Sequence, residues 1–164
     1  MAQSMADLPP EEARRKAREV CFDLLAARPR TREELRQALA RKGCDEEIAG
    51  SLLAKLDDAG LVDDAAFAET WVRSRHTHKG LGRRALVAEL KRKGVDAEVA
   101  AEAANEIDEE SEEQRARELV RKKLRTMTGV DEQKATRRLL AMLARKGYPE
   151  GLSHSVVRTE LTDP

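Results

Sequence analysis

Leu86-Val87-Ala88-Glu89-Leu90-Lys91-Arg92-Lys93-Gly94 decides the fold, because the chain writes its skeleton three times. Leu35, Leu39, Arg41, Lys42 and Gly43 stand at the offsets of Leu86, Leu90, Arg92, Lys93 and Gly94, and so do Leu139, Leu143, Arg145, Lys146 and Gly147. The three glycines lie 51 and 53 residues apart. A fixed period of this size marks stacked supersecondary units, which offer a partner an extended surface. In each copy the two leucines, four apart, share one face of a helix, and the glycine suits the position at which helices end.

Outward from these phrases the punctuation is helical. Residues 1–10 read as a flexible lead closed by Pro9 and Pro10. Ala13, Ala17, Val20, Cys21, Leu24 and Leu25 then recur at helical spacing as far as Arg28, the residue before Pro29. Thr31 and Glu34 form a capping box for a second helix ending at Gly43, and Asp45 opens a third that buries Ile48, Leu52 and Leu56 and ends at Gly60. In the second copy Asp63 or Asp64 caps a helix with Phe67, Trp71 and Val72 inward. A link through Gly80 and Gly82 leads to Leu86, and Asp96 caps a helix carrying Val99, Ala103 and Ile107. In the third, a helix over about 110–126 carries Leu119, Val120 and Leu124, Asp131 caps the next, and Pro149 starts the last, with Leu152, Val156 and Leu161. No segment alternates with period two, so no sheet is expected. The chain is predicted to be all-α, an elongated array of three tandem three-helix repeats over 11–60, 61–108 and 109–164. The links at 77–82 and 108–113 read as flexible.

Lys plus Arg and Asp plus Glu both number 31, so the net charge is zero and composition alone announces no nucleic acid. The distribution is banded. Residues 73–93 carry Arg73, Arg75, Lys79, Arg83, Arg84, Lys91, Arg92 and Lys93 against Glu89 alone; 96–113 carry acids and no base; 115–146 turn basic again, with Lys122, Lys123, Arg137 and Arg138 among them. These twelve cations are the candidate partner or DNA contacts. At about 100° per residue, Arg84 and Lys91 lie opposite Leu86 and Leu90 on one outer stripe. The Arg-Lys pairs before each glycine have a second reading, as bases that offset a helix dipole. Bands of opposite sign suit a mixed partner such as a protein carrying nucleic acid, or they are solvated helix faces.

No catalytic constellation, cofactor motif or metal set is found. His76 and His78 lack third and fourth ligands at supportive spacing. Asp63 and Asp64 resemble a carboxylate pair but precede a helix, where capping is their role. Gly80 and Gly82 follow no strand, so a phosphate loop fails on context. Trp71 could stack on a base, yet it is four residues from Phe67 on one face, the spacing of a core pair. A helix-turn-helix DNA reader is disfavoured by Asp45, Glu46 and Glu47, and by Asp96, Glu98, Glu102 and Glu106, on the third helices. Cys21 and Cys44 make no disulfide framework, the start is not a leader peptide, and no stretch spans a membrane. A cytoplasmic monomer without enzymatic activity is expected.

The run Gly60-Leu61-Val62-Asp63-Asp64, Phe67-Ala68, Trp71-Val72, Arg75, Gly80, Glu89-Leu90, Lys93-Gly94-Val95 resembles the signature of the RecX family of bacterial recombination regulators. The likeness extends upstream through Leu24-Leu25, Arg28-Pro29, Leu35 and Lys42-Gly43, and downstream through Arg138-Leu139-Leu140, Leu143 and Gly147-Tyr148, over about 14–158. It implies three three-helix repeats, no catalysis, and binding to the RecA recombinase filament on single-stranded DNA. It also implies inhibition of ATP hydrolysis, strand exchange and repressor cleavage. Gly43, Gly60, Asp63, Asp64, Phe67, Trp71, Gly94 and Gly147 then identify architecture more than contact. Direct binding of single- or double-stranded DNA, and a helical adaptor role, are the alternatives.

Overall fold

Six of the nine α-helices among the described residues begin where a short side chain catches an unpaired N–H group of the first turn. Thr31 accepts from Glu34 N, and Asp45, Asp63, Asp96, Asp108 and Asp131 accept from Glu47, Ala66, Glu98, Ser111 and Lys134 N. Such caps are worth about 1 kcal/mol each. The computed structural model describes residues 3–162, and among these every regular element is helical. A single 3-10 turn (Met5–Asp7) precedes α1 (Pro10–Ala27), α2 (Arg32–Arg41), α3 (Glu46–Asp58), α4 (Asp64–Lys79), α5 (Arg83–Arg92), α6 (Ala97–Ala104), α7 (Glu109–Leu124), α8 (Glu132–Arg145) and α9 (Glu150–Thr162).

The helices pack in threes, each set around its own core. Leu35, Leu39, Leu53 and Leu56 centre the first, Leu86, Leu90, Val72 and Ala100 the second, and Leu139, Leu143, Val120 and Val156 the third. The paired leucines of the recurring phrase are all fully buried. Val62 packs with the first core although it lies beyond Gly60.

Three expectations are corrected. The lead is not free of the fold: Met5 is 3% exposed in the core of repeat 1, and its N–H donates to Lys42 O at 2.9 Å. Met1 and Ala2, also read as flexible, lie outside the described residues. The link at 77–82 shrinks to Gly80–Gly82, because α4 runs through Lys79. The acidic link at 108–113 is the capped first turn and a half of α7, whose clustered acids complement the N-terminal dipole.

Candidate functional site

The repeats meet at two polar joints, and the recurring Lys-Gly lies at both. At the joint of repeats 1 and 2, Thr31 Oγ1 donates to Lys93 O at 2.7 Å, and Arg32 N donates to Asp64 Oδ1 at 2.9 Å. Gly94 lies so close to Glu33 that a Cβ would overlap its side chain. At the joint of repeats 2 and 3, Gly82 N donates to Lys146 O at 2.7 Å and Tyr148 Oη donates to Gly80 O at 2.8 Å. A Cβ on Gly147 would overlap Ala85. Asp63 alone is the cap of α4; Asp64 serves the joint instead. Burial and the nearby Asp57 push the Asp64 carboxyl up against the Arg32 N–H that it accepts.

Cations are spent both within repeat 2 and at the joints. Glu89 accepts from Trp71 Nε1 at 3.0 Å and from Arg75 at 3.1 and 2.6 Å. Burial pushes its carboxyl up, but the bonds from Arg75 and Trp71 outweigh this and hold it below the ordinary range. Trp71 stacks on Phe67 with centroids 5.8 Å apart, and the Lys93 ammonium lies 4.5 Å from its ring centroid. The ring is half-buried and engaged, so no platform for a base remains. Glu112, 1% exposed, accepts from Arg83 N at 2.8 Å and from its guanidinium at 3.1 Å. Of the cations read from sequence as partner contacts, Arg75 is thus spent inside repeat 2, Arg83 ties repeat 2 to repeat 3, and Lys93, with its ammonium 3.8 Å from Glu34, ties repeat 2 to repeat 1.

The other nine candidates are exposed: Arg73 and Lys79 on α4, Arg84, Lys91 and Arg92 on α5, Lys122 and Lys123 on α7, Arg137 and Arg138 on α8. Among the described residues none of them lies within ion-pair distance of a carboxylate. Arg115, which sequence reasoning left out of the candidates, and Lys146, one of the paired bases it read as either dipole-offsetting or contact, lie at the second joint. Arg115 donates to His76 O and Thr77 O, each at 3.1 Å, and Lys146 Nζ donates to Lys79 O at 2.8 Å. Burial, then the charges of Arg115, Lys79, Lys122 and Arg75, hold the Lys146 ammonium below its ordinary value. Positive charge from α4, α7 and α8 therefore converges there, and an incoming anion would relieve the crowding.

The rest of the chemistry is structural. His76 Nδ1 lies 2.8 Å from Leu81 O, and since a carbonyl only accepts, that nitrogen carries the proton. Burial raises the Cys21 thiol to about 11, so it is no thiolate nucleophile. Among the described residues no group of three His, Cys, Asp or Glu side chains is placed to hold a metal, and no helix is long and apolar enough to cross a membrane.

Three family models match in tandem: the first three-helix domain of RecX over residues 17–56, the second over 63–103 and the third over 110–157. The chain belongs to the RecX family. It is 67% identical to the regulatory protein RecX of Amycolatopsis mediterranei over 158 residues, covering 96% of this chain and 90% of that one. It is 46% identical to the regulatory protein RecX of Streptomyces coelicolor over 155 residues, covering 94% and 82%. The crystal structure of RecX from Lactobacillus salivarius superposes with a TM-score of 0.83 over 88% of this chain and 94% of that one. At 20% identity, that likeness speaks for the fold of the RecX family.

Proposed function

We propose that the chain is a noncatalytic cytoplasmic regulator that binds RecA and its filament on single-stranded DNA and inhibits ATP hydrolysis, strand exchange and coprotease function. Membership of a family whose relatives are named regulatory proteins supports the reading. The sorting of cations supports the location. Three are spent within the array, and nine stand exposed across repeats 2 and 3 with no carboxylate at ion-pair distance among the described residues. Several weak contacts along an array reinforce one another, because each bound repeat raises the local concentration of the next.

The test is the single-stranded-DNA-dependent ATPase of RecA, titrated with the purified chain. Suppression at amounts well below the recombinase is expected. An ATPase untouched at equimolar protein would exclude the reading. Crowding of Lys79, Arg115, Lys122 and Lys146 favours direct DNA binding as a second reading. That reading predicts tight retention of naked DNA, with a salt slope set by the number of phosphates neutralised.

A further inference from the structure

The two joints follow one rule, and a third place in the molecule obeys it. At each joint the carbonyl of the recurring lysine, at the end of a middle helix, accepts a hydrogen bond from the start of the preceding middle helix. Lys93 O accepts from Thr31, and Lys146 O accepts from Gly82. In repeat 1 the corresponding carbonyl, Lys42 O, accepts from Met5 N, and a Cβ on Gly43 would overlap Ser4 Oγ. The donor is again the start of a helical turn: Thr31 caps α2, Gly82 precedes α5, and Ser4 caps the 3-10 turn, accepting from Ala6 N. In all three, a carbonyl at one helix end meets a donor at the start of another helical turn, the Thr31 hydroxyl at the first joint and the Gly82 and Met5 N–H groups at the other two places, which brings opposite dipole ends together.

We propose that residues 4–8 are the end cap of the array. They fill the socket at Lys42–Gly43 that one and two repeats later takes a helix start, and so they keep a second copy of this chain from docking there. The second copy is the fitting occupant because each chain carries the matching piece unused. The start of α8, Asp131 and Glu132, is exposed and donates across no joint among the described residues, although α2 and α5 use the same place to fill a socket. Its charge also fits, since Asp131 and Glu132 are acidic and the socket is flanked by exposed Arg41 and Lys42. A head-to-tail contact of this kind is heterologous and leaves a socket at one end and a helix start at the other, so without a stopper it adds protomer to protomer, into a ring where the rotation closes and into open chains where it does not.

Sedimentation velocity of full-length variants over a wide concentration range tests this, with limited proteolysis before residue 9 reporting whether the segment has undocked. The parent chain is expected to sediment as a monomer at every concentration. Met5→Asp places a carboxylate in the repeat-1 core and should undock the segment, speed cleavage there, and give species that grow with concentration. Adding Asp131→Lys and Glu132→Lys should restore the monomer. The proposal is overturned if Met5→Asp leaves the segment protected, if the undocked variant stays monomeric, or if association survives reversal of the α8 charges.

Discussion

Gly147→Ala measures what a joint is worth, because another glycine supplies its control. Gly147 and Gly60 both have a left-handed backbone, with φ of 89° and 74°. Alanine at either position costs about 1–2 kcal/mol for that conformation alone. A Cβ on Gly60 meets nothing within 4 Å, whereas one on Gly147 overlaps backbone and side-chain atoms of Ala85. Relief requires repeats 2 and 3 to separate, which breaks the bonds from Gly82 N to Lys146 O and from Tyr148 Oη to Gly80 O. Each costs about 1 kcal/mol if water replaces the partner and about 1–3 if the group stays buried. Gly147→Ala should therefore cost about 3–8 kcal/mol against about 1–2 for Gly60→Ala. Urea unfolding followed by circular dichroism reads both. Since repeat arrays are stable through their interfaces, Gly147→Ala should also release repeat 3 in a separate, earlier transition. Equal costs for the two variants would refute the joint.

Two further outcomes follow from the same geometry. Thr31→Val keeps the shape of a fully buried side chain but loses its acceptor for Glu34 N and its donor to Lys93 O, and should cost about 2–3 kcal/mol by urea unfolding. The Glu89 carboxyl is held below the ordinary value of 4.5, so its stabilisation is full above that pH and fades as pH falls through the lower folded value. Glu89→Gln should flatten the acid limb of the stability curve below the ordinary carboxylate value, and an unchanged acid limb would show that Arg75 and Trp71 do not stabilise the Glu89 carboxylate.

Much of this was legible because helices advertise themselves locally. Thr31 with Glu34, the capping Asp45, Asp63, Asp96 and Asp131, and the paired leucines are read at separations of two to four residues, and the structure shows them as read. The joints were not legible. Periodicity tells which face of a helix is inward but not which loops of different repeats touch, so the bonds of Lys93 O and Lys146 O, spanning more than sixty residues, leave no pattern. The cations misled for the same reason: a formal charge does not reveal that Arg75 is paired with Glu89 and Arg83 with Glu112. One signal was available. Glu112, Ala116 and Val120 are four apart and all buried, and a carboxylate on a buried stripe demands a partner. The segment around Met5 carried no comparable sign, being a single turn among small and polar residues.

The most direct measurement compares inhibition of the RecA ATPase by the parent chain and by the double variant Arg84→Glu, Lys91→Glu, with the melting temperature of each. Both side chains are exposed and unpaired, so stability should change by no more than about 0.5 kcal/mol. Inhibition lost at an unchanged melting temperature is the predicted result and would place the contact on the outer stripe of α5. Inhibition retained in full would contradict the assignment of that surface.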